Sequence, residues 1–189
     1  VTPYYLGLMD PEDPACPIRR QALPDPEDAR PAPSESADPL GERRRTPVPG
    51  LVHRYPDRVV LLATPDCPVR CRHCNRRRRH AGEFLGRSPE ALAAVEAYLR
   101  TTPAVREVIL SGGDPLTLDD AVLHDLLGRL RRIDSVETLR VPTRAPVTCP
   151  MRVTDDLVRL LRSVAPLHLV TQFNHPQELT PEALEACSR

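Results

Sequence analysis

Residues Val59-Val60-Leu61-Leu62-Ala63 form an unbroken apolar run closed by Thr64-Pro65-Asp66. A strand with one wet face alternates apolar and polar residues. A run that is apolar throughout belongs to a strand covered on both faces, as in a parallel sheet. Parallel strands need a long crossover, usually a helix, to bring the chain back to the same end. The sequence supplies one. Ser88-Pro89-Glu90 offers an N-cap, a proline at the first helical position and an acid in the first turn, and Leu92, Val95 and Leu99 follow at helical spacing. The alternation then continues. Residues 105–110, 136–141 and 167–173 read as strands. Residues 118–133 read as a helix with Val122, Leu123, Leu126, Leu127 and Leu130 on one face. Thr154-Asp155 starts a third helix through Leu157, Leu160 and Leu161, and Thr180-Pro181-Glu182 starts a fourth.

Four consecutive βα units predict an α/β fold with a parallel sheet and helices outside it. Four strands are too few to close a barrel, so the sheet is either open or part of a larger barrel. In both cases functional groups belong at the carboxyl ends of the strands. Residues 1–57 have another character. Segments such as Leu23-Pro24-Asp25-Pro26 and Pro31-Ala32-Pro33-Ser34 do not suit a helix interior or a central strand. The expected division is a proline-rich N-terminal arm over 1–57 and a core over 58–189. The chain opens on Val1 and stops at Arg189 inside a helical pattern, so it is expected to be a piece of a longer protein, inactive alone.

The 26 basic and 26 acidic residues give a net charge of zero, which removes any global attraction to nucleic acid or an acidic membrane. No apolar run is long enough to span a bilayer, and no charged start followed by an apolar stretch marks a secretory leader. A cytoplasmic location is the expectation. All the basic residues are arginine, so no lysine of this chain can form a Schiff base.

Of six cysteines, Cys67, Cys71 and Cys74 lie in one C-x3-C-x2-C loop directly after the first buried strand. Three thiolates on one loop can hold three corners of an iron–sulfur cubane and leave one iron open. The rival is zinc, with His73 or His80 as fourth ligand and Arg76 to Arg79 as a nucleic-acid patch. Placement after a buried strand favours the cluster. The ends of the other strands carry Ser111-Gly112-Gly113-Asp114-Pro115, Thr143-Arg144-Ala145-Pro146 and Gln172-Phe173-Asn174-His175-Pro176. Gly112-Gly113 permits close backbone approach to a ligand, and Arg144 can grip a carboxylate with two bonds. Each has a plainer reading, a tight turn and a solvated arginine.

These segments, together with Thr2-Pro3-Tyr4-Tyr5, Pro47-Val48-Pro49-Gly50-Leu51, His53-Arg54-Tyr55-Pro56-Asp57-Arg58 and Cys71-Arg72-His73-Cys74, resemble the lysine 2,3-aminomutase family of radical S-adenosylmethionine (SAM) enzymes. The resemblance implies a partial (βα)6 barrel. It implies a [4Fe–4S] cluster on Cys67, Cys71 and Cys74, with SAM on the open iron. Gly112, Gly113 and Asp114 would line the methionine end of SAM, and Arg144 would contact its carboxylate. Gln172 stands where lysine-specific members usually carry histidine beside SAM. Arg54, Tyr55 and Arg58 match the block that holds pyridoxal phosphate (PLP), and Arg76 matches the arginine that pairs with the amino acid carboxylate. The family's PLP-anchoring lysine lies in the C-terminal part, and this chain has no lysine at all. The implied reaction is a radical 1,2-amino migration on a small amino acid: lysine, glutamate or arginine. An external electron donor such as flavodoxin or ferredoxin would drive it, and the full-length protein would be a homo-oligomer. A radical SAM enzyme of another reaction type, without PLP, is the nearest alternative.

Overall fold

The computed structural model describes residues 1–30, 34–85 and 88–189. Pro31, Ala32 and Pro33 of the expected extended arm lie outside the described residues. A five-stranded sheet runs in sequence order, from β1 (Leu51–Tyr55) through β2 (Arg58–Thr64), β3 (Glu107–Gly112) and β4 (Thr138–Pro142) to β5 (Leu167–Val170). β2 to β5 are parallel, and β1 joins β2 as an antiparallel hairpin. Val59 pairs with Val108, Leu61 with Leu110, and Val108 with Leu139.

Each parallel strand is followed by helix. α1 (Pro3–Gly7) and α2 (Pro17–Ala22) precede the sheet; α3 (Pro89–Arg100), α4 (Asp120–Arg131), α5 (Ala145–Thr148), α6 (Asp155–Ser163) and α7 (Pro181–Ser188) follow its strands. The caps are those the sequence offers. The hydroxyls of Ser88, Thr154 and Thr180 accept from the amides of Ala91, Leu157 and Ala183, which satisfies one otherwise orphaned donor in each helix. Val59, Leu61, Val108, Leu110, Leu139 and Val141 pack beneath Val95, Leu99, Leu123, Leu127, Leu130 and Leu157 in one core. Leu62 points the other way and packs with Val52 and Phe84, so β2 is covered on both faces.

Three expectations need correction. Residues 51–55 are a strand of the sheet rather than the end of an arm, and α1 and α2 are packed against the body. Tyr5, Met9, Cys16, Ile18 and Ala22 form a second core with Val69 of the cysteine loop and Val147 of α5. Val122 is 40% exposed, because it stands in the first turn of α4 at the margin of the buried stripe Leu123, Leu126, Leu127 and Leu130. The last strand stops at Val170 and leaves Leu169 and Val170 exposed; it is the outer strand of the sheet and is not covered on both faces.

Carboxylates of residues 25–42 tie the N-terminal region to the tail of the cysteine loop. Asp28 accepts from Arg72 at 2.7 Å, Glu35 from Arg78 at 2.6 Å and lies 3.8 Å from Arg77. Glu42 is buried between Arg76 at 2.7 Å and Arg79 at 2.8 Å. Burial pushes the Glu42 carboxyl up, but the hydrogen bonds and charges of the two arginines outweigh it and hold the group below the ordinary glutamate range. Its contribution to stability is therefore complete above that range and lost as pH falls through the depressed value.

At the carboxyl ends of β2 and β3 the backbones nearly touch. Gly113 donates to the Thr64 carbonyl at 2.6 Å and Asp114 to the Asp66 carbonyl at 2.7 Å. Gly112 has φ +114°, and a Cβ there would sit 2.5 Å from the Thr64 oxygen.

Two outcomes check this description. Gly112→Ala is predicted to lose about 1–3 kcal/mol in denaturant unfolding; an unchanged midpoint would mean that the glycine does not serve this close approach. Glu42→Gln is predicted to cost about 3 kcal/mol at neutral pH, with the gap to the wild type narrowing as pH drops below the carboxylate range. A gap independent of pH would contradict the charged clasp.

Candidate functional site

The cysteine loop leaves β2 at Pro65-Asp66, and its course is set by that backbone seam with Gly113 and Asp114. Cys67, Cys71 and Cys74 are free thiols, all half-buried. They border one open cavity of about 340 Å³ together with Arg76, Ser111, Gly112, Gly113, Asp114, Arg144, Thr171 and Gln172. The carboxyl ends of β2 to β5 thus meet at one rim, as the βα pattern requires.

The three sulfurs differ in surroundings. Burial pushes the Cys67 thiol up to about 12, and the Asp114 carboxylate and the neighbouring cysteines add to the effect. Cys71 Sγ receives a hydrogen bond from Arg144 Nη1 at 3.1 Å. Cys74 Sγ receives one from the Arg76 amide at 3.4 Å. A thiolate at Cys67 is costly unless a cation meets it, so the site suits metal more than free thiolate chemistry. Among the described residues, no three His, Cys, Asp or Glu side chains gather about a single-ion position. Ligands on separate corners of a cluster have no need to do so. Three free thiols on one loop are the donor type and number that fit an iron–sulfur group with one open iron.

Two buried polar atoms on the cavity wall, Arg144 Nε and Thr171 Oγ1, have no hydrogen-bond partner among the described residues. Buried donors without partners are uncommon, and both belong to residues that border this cavity. SAM, with its carboxylate and ribose hydroxyls, has groups of the right kind.

Asp114 is a hub of the rim. Its carboxylate accepts from the Thr143 hydroxyl at 2.6 Å, the Arg144 amide at 2.8 Å and the Leu116 amide at 3.0 Å. It locks the loop after β3 to the loop after β4. The Gly112-Gly113 pair makes room first for the Thr64 and Asp66 backbone, which is the plainer reading of that pair, and only its outer side faces the cavity. Gln172 is exposed at the mouth and donates to Asn174 Oδ1. Arg76 is clasped by Glu42 through Nε and Nη2, with Nη1 3.5 Å from the Ser111 hydroxyl.

Arg54, Tyr55 and Arg58 are not brought to this rim. They form the hairpin at the amino end of β2, and Tyr55 pairs with Arg58. The strand of seven residues puts them about 20 Å from the cysteine loop. There Arg54 lies over the Tyr55 ring, and Arg58 pairs with Asp57 at 2.6 Å and with Glu107 at 3.6 Å. Sequence reasoning missed Tyr5, Gln21, Glu42, Thr171 and Glu178, which support or line the site. Their only signal was a polar residue in an apolar setting, and that setting is created by the fold.

The chain matches the Radical SAM superfamily over residues 61–187. It is 47% identical to the L-lysine 2,3-aminomutase of Clostridium subterminale over 188 residues, which cover 99% of this chain and 45% of that protein. It is 44% identical to the L-lysine 2,3-aminomutase of Bacillus subtilis, covering 100% of this chain and 40% of the relative. Against the glutamate 2,3-aminomutase of Clostridioides difficile the identity is 38%, over 100% and 44%. The chain spans less than half the length of each of these relatives. The superfamily match begins within β2 and ends within α7, so it takes in the cysteine loop and all four parallel strands: the chain belongs to the Radical SAM superfamily.

Proposed function

We propose that the intact protein carrying this chain is a radical SAM amino acid 2,3-aminomutase, and that this chain supplies its cluster-and-SAM half. The observation that carries the reading is the joint placement of three free thiols with Gly112, Gly113, Asp114 and Arg144 around one cavity at the carboxyl rim. Similarity to lysine and glutamate 2,3-aminomutases across nearly the whole chain supports the reaction class. When bound, the cluster and SAM supply one-electron cleavage of SAM to methionine and a 5′-deoxyadenosyl radical, which starts chemistry by hydrogen abstraction from the substrate.

The chain's own residues bind and orient. Cys67, Cys71 and Cys74 would hold the cluster by three thiolates and leave one iron free for SAM. Gly112, Gly113 and Asp114 form the floor of the cavity, with the Asp114 carboxylate fixing the floor to the Arg144 loop. Arg144, on the cavity wall, would supply the positive charge that meets the SAM carboxylate. Gln172 stands at the mouth. Arg76, oriented by Glu42, keeps one guanidinium nitrogen for the carboxylate of an amino acid substrate. A small external electron donor reaches the cluster across the open side of the cavity. The arginine run does not support the zinc-dependent nucleic-acid module, since Arg76 to Arg79 are each within 4 Å of a carboxylate of this chain.

These residues, which span less than half the length of the relatives, offer PLP no lysine anchor. The chain has no lysine, and Arg54, Tyr55 and Arg58 stand at the opposite end of β2 from the cavity. That placement favours, as a second reading, a radical SAM enzyme of another reaction type that does not use PLP.

Turnover separates the two. The intact protein, reduced anaerobically with SAM and supplied with lysine, glutamate or arginine, is predicted to form the corresponding β-amino acid from one of them, while the 189 residues alone form none. SAM cleavage without any β-amino acid would overturn the aminomutase reading and leave the second one standing.

A further inference from the structure

Arg144 precedes α5 and reaches under the cysteine loop. Its Nη1 lies 3.1 Å from Cys71 Sγ and 3.5 Å from Gln21 Oε1. Its Nη2 donates to Glu178 Oε1 at 2.6 Å and lies 3.3 Å from Tyr5 Oη. The guanidinium also stacks over the Tyr5 ring at 5.6 Å. Glu178 and Tyr5 are both fully buried. The Glu178 carboxylate accepts from the Tyr5 hydroxyl at 2.5 Å, from Gln21 at 3.2 Å and from the amides of Asn174 and His175. Residues from α1, α2 and the turn after β5 thus fix one arginine in one orientation.

Neutralising Glu178 needs only one arm of the fork. The other arm is aimed at a sulfur. Among the described residues, Cys71 is the one cysteine of the three that receives a side-chain hydrogen bond from a cation; Cys74 receives a backbone amide, and Cys67 lies near both the Asp114 carboxylate and Arg70. The three sulfurs are electrically unequal before any metal binds.

We propose that Arg144, held by Glu178 and Tyr5, is a positioning residue that donates a hydrogen bond to the Cys71 ligand sulfur and so raises the reduction potential of the cluster. The inference rests on the cluster reading above. Reduction brings one electron into the cluster from a low-potential one-electron donor; no bond of the protein forms or breaks, and no proton moves. The added electron makes the cluster more negative. A hydrogen bond and a fixed positive charge at one sulfur stabilise that reduced state more than the oxidised one. The fork is preorganised by folding, so its ordering entropy is not charged again at each reduction. It also couples the cluster to the N-terminal helices, whose Tyr5 and Gln21 touch the same guanidinium.

The test is an anaerobic redox titration of the intact protein, read by electron paramagnetic resonance without SAM, so that any contact of Arg144 with the SAM carboxylate does not enter. Arg144→Met is expected to take up the cluster and titrate at a more negative potential. At a fixed solution potential its reduced-to-oxidised ratio should fall about tenfold, which is 59 mV for one electron. Arg144→Lys keeps the charge and loses the fork, so it should fall between the two, with its iron–thiolate stretching frequencies moved in the same sense as those of Arg144→Met. If the methionine variant does not retain a cluster, the lysine variant decides. A loaded variant with wild-type potential and wild-type stretching frequencies would overturn the inference. A wild-type protein that assembles no cluster would instead overturn the cluster reading on which it rests.

Discussion

The backbone of Gly113 and Asp114 donates to the Thr64 and Asp66 carbonyls at 2.6 and 2.7 Å, and the rim is built on that seam. It exists because β2 and β3 are parallel neighbours whose chains leave the sheet side by side. A side chain at Gly112 or Gly113 would collide with the β2 backbone, so two strand ends can close together only with glycine there. The cysteine loop starts from Asp66, one residue before Cys67. Where the three sulfurs sit is therefore decided by backbone geometry before any metal is considered. Asp114 carries the constraint onward, since its carboxylate binds the Thr143 hydroxyl and the Arg144 amide.

A second layer lies beneath the loop. α1 and α2 pack Tyr5, Cys16 and Ile18 against Val69 and Val147, and Arg144 threads between this apolar cluster and Cys71. A buried cation is tolerable only with a matched anion, and Glu178 provides it at 2.6 Å. Around the loop's tail the same logic uses pairs that run from half-buried, Asp28 with Arg72, to buried, Glu42 with Arg79. The N-terminal region therefore works as a clamp on the cysteine loop, apolar on one side and ionic on the other.

Much of this could be read in advance. The run 59–63, the Ser88, Thr154 and Thr180 caps and the leucine stripe of α4 each carry a local physical signal, and each leads to the observed element. The location of the cysteine loop followed from the same alternation. The hairpin strand Leu51–Tyr55 was hidden, because proline and glycine precede it and only its first two residues are buried. The roles of Tyr5, Gln21 and Glu178 were hidden for a stronger reason. They meet Arg144 across separations of 139, 123 and 34 residues, and no local pattern encodes that meeting. The Arg54–Arg58 block shows the converse: a motif legible in sequence, yet placed by the β1–β2 turn at the other end of the sheet.

The central claim is that Cys67, Cys71 and Cys74 hold a cluster with one open iron. The most direct measurement is anaerobic reconstitution of the intact protein with iron and sulfide, followed by metal analysis and paramagnetic resonance of the reduced state with and without SAM. The expected result is a brown protein with about four irons and four sulfides per chain, a resonance that changes when SAM is added, and loss of both in Cys67→Ala. A colourless protein that retains stoichiometric zinc and shows no change with SAM would contradict it.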